Sequence, residues 1–177
     1  QELLEDTLLY RGFYNTKTST GDLIAQKLNP DGSLVDTPEW SAASLLDGRS
    51  PDGRVIATWD DDAEEGVPFR YDSLTTGQQN ELDSDETTAR AKLDYIRGDR
   101  SNERPNGFNF RARPESEGLL GDIVNSTPVF VGEPQFVERD REKYPIATGE
   151  LYSQFKADNE DRQPVVYVGA NDGMLHA

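Results

Sequence analysis

The chain has 177 residues, 34% of them apolar and 29% charged, with 15 glycines and 10 prolines, a mixture that suits a loop-rich, mostly extended fold over a helical bundle. Its net charge of −16, from 34 acidic and 18 basic residues, repels a phosphate backbone and an anionic membrane surface, which argues against nucleic acid as a partner. Without cysteine there are no disulfides, thiol nucleophiles or cysteine metal sites, and no apolar run approaches the roughly 20 residues that span a bilayer.

In chain order, LLYRGFY (Leu8 to Tyr14) and GDLIAQKL (Gly21 to Leu28) carry strand signals around the turn material NTKTSTG. NPDGSL (Asn29 to Leu34) is a strong turn. PEWSAASLL, a second Pro-Asp-Gly turn at 51–53 and RVIATW then continue an antiparallel meander of short strands. Residues 60–86 form an acidic block with Arg70 as its only base. Within it Thr75 and Gln78 make a capping-box pattern for one helix. A second helix follows in SDETTARAKLDYIRGD, capped by Ser84 or Asp83, with Ala89, Leu93 and Ile96 as its apolar stripe and Gly98 at its C terminus. An arginine-rich connector, residues 97–113, precedes a new strand region beginning at LLGDIVNSTPVFVG. A polar insert between Pro134 and Pro164 holds one strand-like or helical patch, Leu151 to Phe155.

TPVFVG (Thr127 to Gly132) and PVVYVG (Pro164 to Gly169) echo each other. They are read as neighbouring strands of one sheet, because the insert between them is too polar to supply further strands. Asn171-Asp172-Gly173 then turns the chain into MLHA, making a hairpin. An internal start at Gln1 and an end half-way through a hairpin are read as a piece of a longer polypeptide. YVGANDGMLHA resembles the strands of quinoprotein-type propeller repeats, whose rings need typically 4–8 blades to close. The expected fold is therefore mostly β, an antiparallel partial β-propeller with a short helical insertion. It divides into a meander at 1–59, an acidic and helical insertion at 60–113, and the start of a blade at 114–177.

GDLIAQKLNPDGSL, LDYIRGDRS, LLGDIVNSTPVFVG and VVYVGANDGMLHA, in that order, resemble the start of the carboxy-terminal propeller of PilY-type type IV pilus tip adhesins and assembly factors. Gly121 to Pro128 is the most specific of these stretches. The resemblance implies an exported, extracellular protein at the pilus tip. It would work with minor pilins to promote pilus extension and attachment in twitching motility, with no catalysis and no organic cofactor. It also implies calcium in loops of alternating Asp and Asn, the best characterised of which lies beyond this chain.

Three sets of residues are candidates for function. Arg97-Gly98-Asp99 spells the integrin-recognition tripeptide, a guanidinium and a carboxylate that together would engage a host receptor and its cation. The same three residues also make an ordinary helix end, which would leave them exposed. Asp60 to Glu65, and better Asp83 with Asp85, offer carboxylates to calcium, or equally a solvated loop and a helix start. His176, the only histidine, has no nucleophile or ligand set beside it and is read as structural, as are Trp40 and Trp59 as packing anchors. Two alternatives stand beside the pilus reading: a quinoprotein dehydrogenase propeller, and an acidic calcium-binding surface domain.

Overall fold

The computed structural model describes residues 8–134 and 151–177. β1 (Leu8–Asn15) and β2 (Thr20–Lys27) form an antiparallel hairpin in continuous register from Leu8↔Lys27 to Asn15↔Thr20. The turn between them is held by Asn15, whose side chain accepts from Lys17 N at 3.0 Å and whose carbonyl accepts from Ser19 N at 2.9 Å. β3 (Trp40–Ser41) pairs with the other edge of β2.

The strand expected over PEWSAASLL is cut short at Ser41, and a helix follows: α1 (Ala42–Asp47). Its start is fixed by Asp22 of β2, whose carboxylate accepts from Ser41 Oγ at 2.8 Å and from Ala43 N at 2.9 Å. Ser41 Oγ in turn accepts from Ser44 N as the N-cap. With the helix nucleated there, the good helix formers Ala42, Ala43 and Leu45 have no reason to extend.

The acidic block opens with a hairpin. β4 (Ala57–Asp60) pairs with β5 (Glu65–Pro68), and Asp60 Oδ1 accepts from the amides of Asp62 and Ala63 across the turn. This hairpin straddles the division placed at residue 60. α2 (Thr76–Leu82) carries the expected capping box: Thr75 Oγ1 accepts from Gln78 N at 3.2 Å, and Gln78 Oε1 accepts from Thr75 N at 3.1 Å. α3 (Glu86–Ile96) starts later than Ser84 or Asp83 would place it, because Asp85 is the N-cap and its Oδ2 accepts from Thr88 N at 2.9 Å. Ala89, Ala91 and Leu93 are its buried residues.

β6 (Val129–Val131) pairs antiparallel with β7 (Val165–Gly169), Val129 opposite Tyr167, so the two echoing segments are neighbours in one sheet. β8 (Leu175–His176) completes it as the return strand of the terminal hairpin. The patch near Leu151 is helical: α4 (Tyr152–Asp158). The remainder of the polar insert, at 135–150, lies outside the described residues.

One hydrophobic core joins the two ends of the chain. Leu23 and Ala43 come from the first region, Leu120, Ile123 and Val168 from the last, with Tyr10, Trp40 and Val166 packed around them. The Tyr10 ring lies 5.9 Å from Trp40 and stacks on Phe130 at 6.0 Å. Trp40 is thus the anchor expected of it; Trp59 is not, being 54% exposed on the β4–β5 hairpin. The strands are mostly antiparallel and lie in three small sheets, with no closed ring among the described residues.

Candidate functional site

The most specific stretch of the sequence, Gly121 to Pro128, holds the first sheet and the terminal hairpin together. Leu120 O accepts from Gly21 N at 2.9 Å on one side, and Asp122 O accepts from Asn171 N at 2.9 Å on the other. Ser126 Oγ accepts from Gly169 N at 3.0 Å. Side chains are absent where the backbones cross. A Cβ on Gly21 would lie 2.2 Å from Gly121 O, and one on Gly121 would lie 2.7 Å from Asp172 N. Only glycine permits that approach.

Asp172, in the turn of the terminal hairpin, closes this junction. Its carboxylate accepts from Gly121 N at 3.0 Å and Met174 N at 3.0 Å, and meets His176 Nε2 at 2.9 Å. Partial burial pushes its carboxyl up, but His176 and the two amides outweigh burial and hold it below the usual carboxylate range. His176 therefore has the structural role expected of it: it braces the hairpin against its own turn.

Arg97, Gly98 and Asp99 adopt the helix-end arrangement. Gly98 takes a left-handed φ of +107°, Gly98 N donates to Tyr95 O at 2.9 Å and Asp99 N donates to Asp94 O at 2.9 Å, a Schellman motif. The exposure expected of the tripeptide is not what the fold presents, because Arg97 is only 2% exposed and Gly98 is buried. The Arg97 guanidinium donates to three backbone carbonyls: Phe69 at 3.0 Å, Pro51 at 2.8 Å and Arg54 at 2.8 Å. Asp99 Oδ1 accepts from Ser101 N at 2.7 Å and from the Ser101 hydroxyl. A receptor would find the carboxylate but not the guanidinium.

Asp83 and Asp85 serve the start of α3. Asp83 accepts from Asp85 N at 3.0 Å and pairs with Lys92 Nζ at 2.7 Å, which lowers its pKa. Asp85 is the helix cap already described. Among the described residues no three His, Asp or Glu side chains stand close enough to hold a metal ion.

The arginine-rich connector has a physical role that composition did not reveal. The C-terminal end of α3 carries partial negative charge, and cations gather on its last carbonyls. Arg54 Nη1 donates to Ile96 O at 3.4 Å, and Arg113 donates to Tyr95 O at 2.9 Å and Asp99 O at 2.8 Å. Arg113 also lies 4.0 Å above the Tyr95 ring and pairs with the buried Glu103 at 2.6 Å. Burial lowers the pKa of both Arg54 and Arg97, and their charge is retained because an arginine titrates so far above neutrality. Beside this end of α3 lies an open cleft of about 320 Å³ lined by Asp52, Asp94 and Asp99. Burial raises the Asp94 carboxyl, with the charges of Asp99 and Asp52 acting in the same direction.

Residues 120–177, which contain the junction and the terminal sheet, match the PilY1 beta-propeller domain family. The chain is 37% identical over 174 residues to the type IV pilus biogenesis factor PilY1 of Pseudomonas aeruginosa strain PAK, covering 93% of this chain. This is a PilY1-type chain. It is also 35% identical to the P. aeruginosa UCBPP-PA14 protein of that name over 93% of the chain, and 35% identical to a PilY1 homolog of Xylella fastidiosa Temecula1 over 95% of the chain. The PilY1-type chain spans 14% of the length of the P. aeruginosa relatives and 12% of the X. fastidiosa one. No solved structure matches it.

Proposed function

We propose that the protein is a non-enzymatic type IV pilus biogenesis factor, and that this chain supplies the opening sheets of its β-propeller. The observation that carries this is continuous similarity: relatives named as pilus biogenesis factors align with 93% of the chain, including the helical insertion as well as the propeller strands. In that role the protein is exported and pilus-associated, with minor pilins at the tip as its partners and pilus extension as its effect. The net charge of −16 is in keeping with a protein that works away from nucleic acid and anionic lipid.

The test is genetic. Deleting the gene in its host is expected to abolish or strongly reduce surface pili, counted by electron microscopy and by sheared-pilin immunoblot, with restoration by the intact gene in trans. Wild-type pilus numbers in the deletion strain would overturn the proposal. Attachment to abiotic surfaces is measured in the same strains. Adhesion is a separate activity if Asp99→Ala lowers attachment at unchanged pilus number.

A further inference from the structure

The β4–β5 hairpin turns an apolar face to solvent. Exposure alternates along its first strand and the residues before it: Val55, Ala57 and Trp59 are open, while Ile56 and Thr58 between them are half-buried. Gly66 stands opposite Trp59 and Pro68 opposite Ala57, so both lie on the same face, and both are exposed. Val55 is 95% exposed and Trp59 54%. A Cβ on Gly66 would meet nothing within 4 Å, so the ground across from Trp59 is empty. The strand beneath is held in place: Gln78 Nε2 of α2 donates to Trp59 O at 2.8 Å, and Phe69 N donates to Ile56 O at 2.8 Å. The turn that joins the two strands rims this face with Asp61, Asp62, Glu64 and Glu65. All four are exposed, and none has a basic partner among the described residues. Arg70, the only base of the acidic block, is held by Asp52, and Arg90 by Asp72 and Glu86.

We propose that this face docks a segment of another protein that carries Lys or Arg beside apolar side chains, its apolar groups on Val55, Trp59 and Pro68 and its cations at the turn. Charge selects that occupant. Whatever covers the face comes up against four uncompensated carboxylates and must bring positive charge to them, or leave them facing a drier surface without counter-charge. The same face of a second copy would set like charge against like charge. Trp59 favours a cation independently, because an indole is the best of the aromatic platforms for an ammonium or guanidinium group. An exposed tryptophan in an apolar patch with a charged rim is also the pattern in which binding surfaces concentrate their energy. The inference goes beyond the pilus role proposed above and does not rest on it.

The test uses the purified full-length protein and a fluorescent synthetic peptide of about ten residues that mixes Arg and Leu with Ser, read by anisotropy at about 0.15 M salt. Two comparison peptides replace Leu by Ser or Arg by Glu. The Arg–Leu peptide is expected to bind, and either replacement to weaken binding about tenfold or more. Trp59→Ala in the protein should do the same, as should Asp61→Asn, Asp62→Asn, Glu64→Gln and Glu65→Gln made together. Neutralising the exposed Asp36, Glu115, Glu160 and Asp161 instead should change affinity less than about twofold. Unchanged binding to Trp59→Ala, or equal losses from the two sets of charge changes, would leave only general attraction to an acidic chain and overturn the proposal. Val55→Ser, at the most exposed position of the face, decides the matter if Trp59→Ala fails to fold. Absence of binding overturns it too, and a Val55→Cys thiol closed to maleimide in the same protein would then assign the face to the remainder of the polypeptide. The readout needs no pili, so normal piliation in the deletion strain would leave this result standing.

Discussion

Arg97 places its guanidinium among the carbonyls of Phe69, Pro51 and Arg54, so its loss leaves three acceptors without a donor. Arg97→Ala is expected to cost about 3 kcal/mol or more in urea denaturation. Arg97→Lys should recover part of this, since an ammonium keeps the charge but lacks the planar fork. A loss below about 1 kcal/mol for the alanine variant would mean that water replaces the guanidinium. Gly98→Ala should cost about 1 kcal/mol, because φ there is +107° and the new Cβ would also lie 3.3 Å from the Arg54 guanidinium. Asp172 supplies a pH dependence. Its folded pKa is depressed, so its contribution is present above the unfolded value of about 3.9 and is lost as pH falls through the lower folded value. The stability difference between the parent and Asp172→Asn should therefore shrink as pH is lowered below about 4. A difference that stays constant from pH 6 to pH 2 would show that the charge on Asp172 is not what closes the junction.

Elements whose signals are local were legible in the sequence. The Thr75–Gln78 capping box, the turn of the β1–β2 hairpin and the Gly98 helix end all form from residues within a few positions of one another. α1 was not legible, because its start is organised by Asp22, which reaches Ser41 and Ala43 from a different strand. The burial of Arg97 was hidden for the same reason: its acceptors come from 51, 54 and 69. An N-cap and an Asx turn use the same residues, at the same alternate spacing, as the calcium loop expected at Asp83 and Asp85. Asp85→Ala is expected to lose about 1 kcal/mol of stability, with the first turn of α3 exchanging amide hydrogens faster. An unchanged exchange rate at Thr88 would place the cap elsewhere.

No sheet here is large enough to stand alone, since two or three short strands bury little by themselves. The first and third sheets are held by the junction at Leu120 to Ser126, which ties β2 to the terminal hairpin and sets Leu120 and Ile123 into the core between them. The specificity of Gly121 to Pro128 was visible in the sequence through its resemblance to PilY-type chains, but its contact with Gly21 was not, because a missing side chain leaves no trace of what approaches it. Ile123→Ala should cost about 3 kcal/mol, as expected for a large aliphatic side chain removed from a packed core. The most direct measurement is native-state hydrogen exchange at four amides: Gly21, Gly121, Gly169 and Asn171, the donors that cross the junction. If the two ends of the chain share one core, all four open together with the same free energy and the same denaturant dependence. If Gly21 opens separately from Gly169 and Asn171, the first sheet and the terminal hairpin are independent units and the junction does not bind them.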